Sequence, residues 1–336
     1  MEINTENQTW QDRLWHIGSI INAKAGNRYY GIIEHGSFAD GTLLQSPVHL
    51  IVGATEGAIL YIQAAIHGDE INGVDVLRRV VTALDPAKMR GALIVVPVTN
   101  GPGFIQQQRR NPYDEEDMNR VWSGKVNGTI SQQIVYNLYE QAVKYAQYVI
   151  DLHTASSTTL LHVVYSAGDK VSRQMAEVFA LEVLLEETVS EDAKQARFSG
   201  KLRNVLTANG VGAITPELGG DGRFEEENIQ KGVRGVTNIM KYLGMLEGEI
   251  IPPDNPQVTV RGSHLDKVRA NHGGIWQPEI KPGDEVREGQ ALGYIYSVRS
   301  FEVIERFVAP YHGFILGITD VPVVNVGDPI VNICPL

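Results

Sequence analysis

One cysteine, Cys334, stands in a chain of 336 residues. A lone cysteine excludes an internal disulfide framework and any zinc site built from cysteines. Positive charge is also in short supply: 29 lysines and arginines face 40 acidic residues, for a net charge of -11. That balance speaks against non-specific nucleic-acid binding, which needs a basic footprint. It leaves room for an anionic small substrate, because a few well-placed arginines override the overall field locally. No stretch approaches the ~18 uninterrupted apolar residues of a membrane span. The opening MEINTENQTWQDRLWHIGSI carries neither the basic nor the apolar segment of a secretory leader. No membrane association is expected, and the cytoplasm is the default location.

What is present is an ordinary globular composition, 43% hydrophobic and 21% charged. The length exceeds one typical domain, so a large domain and a smaller one are expected. Apolar runs at 48–52, 59–66, 92–98 and 148–152 read as buried strands, with shorter ones at 161–165 and 212–215. Between them lie helical patterns. Segment 71–84 repeats Val74, Leu77, Val80, Val81 and Leu84 at steps of 3 and 4, and 130–148 and 172–187 behave alike. Strands alternating with helices predict an α/β fold, a mainly parallel or mixed sheet flanked by helices on both faces. Ligands bind such sheets at the carboxyl ends of strands.

The style changes after EIIPPDNP, residues 249–256. We therefore divide the chain into a catalytic domain, 1–250, and a small all-β domain, 251–336. The second part echoes itself. Gly274-Ile-Trp precedes VREGQALGYI (286–295), and Gly313-Phe-Ile precedes VGDPIVNI (326–333), with glycine separations of 15 (274 to 289) and 14 (313 to 327). Two similar halves are expected. Through EIKPGDEVREGQALGYI and VAPYHGFILGI this tail resembles the barrel-sandwich of biotinyl and lipoyl carriers. Those carriers attach their cofactor to a lysine between the halves, and SVRSFE, 297–302, has none. A structural role, or one covering an active site, follows better than a swinging arm.

The chemistry gathers at strand ends. The run 59–66 stops at His67-Gly68-Asp69-Glu70, and 148–152 stops at His153, two residues after Asp151. Either acid of the first motif could simply favour a helix start, and Gly68 lets the backbone turn sharply. Strand ends on one edge of a parallel sheet are neighbours, however. His67, Glu70 and His153 would then supply two imidazoles and a carboxylate, the ligand set of a catalytic zinc ion with a position open for water. Glu217 ends the short strand before Leu218-Gly219. It is the candidate base that takes the water's proton and hands it to a leaving nitrogen. A polar loop, QRRNPYDEEDMNR (108–120), offers Arg109, Arg110, Asn119 and Arg120. Asn119 and Arg120 could clamp a carboxylate, and Arg109 or Arg110 could stabilise an oxyanion.

The order His-Gly-Asp-Glu, Asp-Met-Asn-Arg, Asp-Leu-His, Glu-Leu-Gly resembles the succinylglutamate desuccinylase/aspartoacylase family, over roughly residues 45–245. That resemblance implies a zinc carboxypeptidase-like fold and one zinc ion per chain, held by His67, Glu70 and His153. It further implies Asn119 and Arg120 at the substrate carboxylate, with Glu217 as general base and acid. We assign the oxyanion to Arg110 and place Arg109 among the substrate-binding residues. The family's active-site tyrosine would come from the C-terminal part, where Tyr294, Tyr296 and Tyr311 are the candidates. The remaining histidines read as structural, with His264 and His272 to be weighed if the small domain covers the site. The expected activity is deacylation of an N-acylated amino acid or similar small amide. Its rivals are a zinc carboxypeptidase and a non-catalytic metabolite-binding protein. Assembly into a homo-oligomer is left open.

Overall fold

The computed structural model describes residues 16–155, 159–187, 200–219, 222–262 and 267–336. A two-strand hairpin, β1 (His16–Ile17) and β2 (Ile20–Ile21), precedes a long meander of β3 (Asn27–Ser37), β4 (Leu43–Val52) and β5 (Thr55–Ala64). Then follow α1 (Asn72–Ala83), β6 (Arg90–Val96), α2 (Gly101–Gln106), α3 (Ile130–Gln141) and β7 (Tyr148–Leu152). Next come β8 (His162–Ser166), α4 (Lys170–Phe179), β9 (Val183–Glu187), α5 (Leu202–Thr207), β10 (Gly212–Glu217) and α6 (Glu226–Tyr242).

Nine strands form one mixed sheet in the order β11-β9-β8-β10-β7-β5-β6-β4-β3, where β11 is Val258–Gly262. Its centre is parallel: β7 lies between β5 and β10 and pairs in parallel with both. The sheet turns antiparallel at β10/β8 on one side and at β6/β4 on the other. Alternation along β5 sorts its side chains between two cores. Leu60, Ile62 and Ala64 face a cluster with α1, α4 and α6, including Val76, Leu77, Phe179 and Val236. Ile59 and Tyr61 face the opposite cluster with Trp122, Ile134, Leu138 and Leu206. Both faces are covered, which is why the central strands read as unbroken apolar runs.

Two expected helices need correcting. The stretch 172–187 is not one helix: α4 ends where Ala180 takes a left-handed φ of 64°, and the chain re-enters the sheet as β9. The helix expected over 130–148 stops at Gln141, and a 3-10 turn over Val143–Tyr145 leads into β7. Strand β3 was not anticipated; it is a sheet-edge strand in which Gly31, Ile33 and His35 are buried and the residues between them are less so. The large sheet also takes β11 from beyond the proline-rich break, eight or more residues past the expected boundary at 250. No helix among the described residues is long and apolar enough to cross a membrane.

The remaining strands are β12 (Lys267–Arg269), β13 (Gly274–Pro278), β14 (Glu285–Val286) and β15 (Ala291–Tyr296), then β16 (Val303–Val308), β17 (Gly313–Ile318), β18 (Val323–Val324) and β19 (Pro329–Pro335). They make two four-stranded sheets, β12-β19-β17-β14 and β16-β15-β13-β18. Advancing every strand by four in chain order, with the count returning from β19 to β12, converts one sheet into the other. The short β14 and β18 are exchanged, each pairing with the opposite repeat. Both sheets enclose a single core containing Trp276, Leu292, Phe307, Ile315 and Ile333. A separate apolar cluster welds this unit to the large sheet: Leu316 and Cys334 pack with Val164, Leu185 and Val260. Nearby, Thr159 bridges Gly317 and the Leu160 N–H donates to the Leu316 carbonyl over 3.0 Å.

Candidate active site

The carboxyl ends of β5, β7 and β10 emerge side by side, the first delivering two polar groups and the others one each. After β5, Ala65 adopts a φ of 50° and the chain reverses into His67. Ala65 therefore supplies the turn that the sequence assigns to Gly68. Gly68 is required for space: a Cβ there would lie 2.0 Å from the Gly103 carbonyl carbon. The Glu70 N–H donates to the His67 carbonyl over 3.1 Å, so both side chains leave one tight turn. After β7, the His153 N–H donates to the Pro216 carbonyl and the Leu218 N–H to the His153 carbonyl, 2.9 Å each. This extends the parallel ladder and sets His153 beside Glu217.

Glu70 lies between the two rings. His67 Nδ1 is 2.6 Å from its Oε1, and His153 Nδ1 is 2.9 Å from its Oε2. The Thr154 N–H also donates to Oε2, over 3.0 Å. The opposite nitrogen of each ring meets another carboxylate: Asp117 Oδ1 lies 3.1 Å from His67 Nε2, and Asp151 Oδ2 lies 3.1 Å from His153 Nε2. Asp151 is itself fixed by the Gln63 amide over 2.8 Å, and Gln63 by the Tyr61 hydroxyl over 2.9 Å. Carboxylates behind the imidazoles orient the rings and leave both Nδ1 atoms turned to one point. One donor atom each from His67, Glu70 and His153 falls within 4.8 Å of the others, and all three residues are buried. These residues could hold a metal ion.

Burial opposes charge on Glu70, but the adjoining imidazoles prevail and hold its carboxyl far below the ordinary range. Asp117 is likewise held low: burial is outweighed by the His67 hydrogen bond and by the charges of His67, Arg109 and Arg120. Glu217 goes the other way. Enclosed by protein atoms while keeping some exposure to the cleft, it is pushed up to about 7, chiefly by burial, with the Glu70 charge adding to it. A carboxyl in that range can both accept and return a proton near neutrality.

One cleft of about 450 Å³ contains His67, Glu70, His153, Glu217, Arg109, Asn119 and Arg120. Arg109 leans over the site, its Nη1 3.2 Å from His67 Nδ1 and 3.3 Å from Glu70 Oε1, while its Nη2 donates to Asp117 Oδ2 over 3.1 Å. Arg110 is not there. It is exposed, its Nη1 donates to the Glu115 carbonyl over 2.9 Å, and it does not line the cleft where its expected oxyanion role would put it. Asn119 accepts from the Leu202 N–H over 3.1 Å, and its Nδ2 lies 3.1 Å from His153 Nε2.

The sequence missed a second cationic group in the same cleft. Lys201 and Arg203 share the buried Glu187, Lys201 at 2.8 Å, and Arg203 also donates to Ser166 Oγ over 2.8 Å. Burial lowers the Lys201 pKa, and the charges of Arg203 and Arg120 push the same way. Helix α5, which begins at Leu202, carries this group into the site. No short motif marks it.

The C-terminal unit lines the cleft as well, through Lys267, residues 317–320 and residues 329–332. Among the described residues no tyrosine lines it. Tyr311 donates to the Ile333 carbonyl over 3.0 Å, Tyr294 sits under Arg306, and Tyr296 pairs with Ile275 in its sheet. His272 is tied to Glu305, its Nδ1 3.3 Å from that carboxylate. His264 lies outside the described residues.

The chain is similar to known proteins along most of its length. The chain is 26% identical over 294 residues to the N-alpha-acetyl-L-2,4-diaminobutyric acid deacetylase of Halomonas elongata, covering 83% of each chain. Its fold matches that of the product-bound ectoine utilization protein EutE (DoeB) from Ruegeria pomeroyi, with a TM-score of 0.83, 21% identity and coverage of 95% of this chain and 98% of that one. It also matches a succinylglutamate desuccinylase/aspartoacylase from Rhodobacter sphaeroides, with a TM-score of 0.81, 22% identity and coverage of 96% and 99%. The model of the succinylglutamate desuccinylase/aspartoacylase catalytic domain matches residues 56–243, the stretch that carries every strand end described above. With more than half its length inside that model, the chain belongs to the succinylglutamate desuccinylase/aspartoacylase family.

Proposed function

We propose that the protein is a zinc-dependent deacylase that hydrolyses the amide of an N-acylated amino acid, with an N-acetylated diamino acid as its leading substrate. One observation carries this reading. Two imidazole Nδ1 atoms and a carboxylate converge while a second carboxylate backs each ring. The likeness to the Halomonas elongata deacetylase supports the choice of acyl group and amine. The barrel-sandwich reading of the C-terminal unit is supported by its two exchanged sheets and gives that unit the task of closing the cleft.

A zinc ion held by His67, Glu70 and His153 would polarise the acyl carbonyl and lower the pKa of the attacking water. Glu217 takes the proton from that water and delivers it to the departing nitrogen, a task suited to a carboxyl titrating near 7. Arg109 faces the negative charge that develops on the carbonyl oxygen. Asn119 and Arg120, with Lys201 close by, orient a substrate carboxylate.

The test pairs metal analysis of the purified protein with amine release from acetylated, succinylated and formylated amino acids, Nα-acetyl-2,4-diaminobutyrate among them. About one zinc per chain and release of one free amino acid per acyl group cleaved are expected. Absence of stoichiometric metal, or peptide cleavage without deacylation, would overturn the reading.

A further inference from the structure

The C-terminal unit gives the cleft a cation that the protein itself leaves unmatched. Strand β12 pairs with β19, Lys267 opposite Asn332 and Val268 opposite Val331. Val268 packs against the core of the unit. Alternation turns Lys267 to the other side of the strand, where it lines the cleft. Its side chain keeps an exposed surface that a ligand can reach. Other cations of the cleft are already engaged: Arg109 by Glu70 and Asp117, Lys201 and Arg203 by Glu187. Lys267 forms no ion pair among the described residues, Asp320 of the same wall included. Arg120, whose Nη1 donates to the Asn119 carbonyl over 2.8 Å, has no acidic partner there either.

The charges that Lys267 feels are like ones. Partial burial, then the charges of Arg269 and Arg109, hold its pKa below the ordinary lysine value. Cations gathered in a cleft and partly stripped of water repel one another. An anion that enters relieves this, and an ammonium group gains more from a carboxylate than from a neutral amide. Arg269 follows two residues later on the same strand, but it spends its Nη1 on the Gly327 carbonyl over 2.8 Å and does not line the cleft.

We propose that Lys267 is a substrate-binding residue: its ammonium pairs with the carboxylate that Asn119 and Arg120 hold from the catalytic domain. Both parts of the chain then grip one group of the substrate. The C-terminal unit selects acids over amides as well as closing the cleft. The inference rests on the deacylase reading and deepens it, since it adds a residue that discriminates among substrates of that reaction.

The experiment takes the fastest substrate among the acetylated, succinylated and formylated amino acids, and the same compound with its α-carboxylate converted to a carboxamide. Both are measured in the metal-loaded wild type, Lys267→Met, Lys267→Arg and Arg269→Met. The wild type should prefer the acid by about tenfold or more in kcat/KM. Lys267→Met should raise KM for the acid about tenfold, while its kcat and its kinetics on the carboxamide stay within about twofold of wild type. The Kd of the released amino acid, measured by calorimetry, should rise by the same factor as KM. Lys267→Arg, which keeps the charge, should retain most of the preference. Arg269→Met, which removes a charge outside the cleft, should retain all of it. Thermal unfolding shows whether each variant is folded. An unchanged ratio in Lys267→Met, a loss shared equally by both substrates, an equal shift in Arg269→Met, or no preference in the wild type overturns the inference. A fall in kcat at constant KM would put Lys267 at the reacting carbonyl and overturns it too. A wild type that hydrolyses no acylated amino acid overturns the deacylase reading itself.

Discussion

Asp151 Oδ2 lies 3.1 Å from Nε2 of His153, two residues further along the chain, and Gln63 holds the other oxygen of the same carboxylate at 2.8 Å. The aspartate thus serves as the fixed back support of a ring whose front nitrogen faces Glu70. Asp151→Asn leaves the size unchanged but cannot accept on both sides. Metal affinity should fall about 10- to 100-fold, the usual cost of losing such a support. Chelator competition measures it, and an unchanged affinity would deny Asp151 this role.

Glu217→Gln removes the proton carrier while leaving the three proposed ligands in place. Metal content should remain that of wild type, and kcat should drop about 10²- to 10⁴-fold. Retention of full turnover would remove Glu217 from the reaction.

The adjacent arginines should behave differently. Arg109→Ala, measured at saturating metal, should lower kcat by about 10²-fold, because its guanidinium sits 3.3 Å from Glu70 Oε1 in the cleft. Arg110→Ala should leave kcat within about twofold of wild type, because that side chain is spent on the Glu115 carbonyl. Equal losses in both variants would return the oxyanion role to Arg110.

Stability should weaken in acid through a histidine remote from the catalytic groups. His35 is buried on β3 with Nε2 2.9 Å from Ser46 Oγ, and burial lowers its pKa from 6.5 to about 4. Between those values the unfolded chain binds more protons than the folded one. The stabilisation is therefore complete above 6.5 and is lost as pH falls towards 4. Near pH 5 the loss amounts to about 2 kcal/mol. Denaturant unfolding at about pH 7.5 and 5 should show a smaller acid loss in His35→Gln than in wild type. His162, also lowered to about 4 by burial, contributes with the same sign to both proteins.

Much of the candidate site was legible because it follows from strand ends. Parallel pairing of β5 with β7 and of β7 with β10 makes neighbours of residues that close those strands, so the sequence alone groups His67, His153 and Glu217. Asp151 is visible too, since residues two apart on a strand share a face, but only the fold shows that its carboxylate meets His153 Nε2. Lys201, Arg203 and Lys267 were hidden for another reason. They reach the cleft by packing between distant segments, and no local spacing announces that. Among the strands, β9 was masked by Leu181, Leu184 and Leu185, whose spacing mimics a continuing helix. Only the left-handed Ala180 ends α4, in a position where a glycine would have been readable.

Strand β11 has one further consequence. The change in composition at 249–256 looks like a place to cut the protein in two, but the chain returns across it to supply the outermost strand of the nine. A fragment ending at residue 250 would bare the hydrogen-bonding rim of β9 and uncover Val164, Val183 and Leu185. Such an unprotected rim invites pairing between molecules. The two halves are thus sewn together by the backbone itself, and the shorter fragment should aggregate rather than survive as a free-standing catalyst.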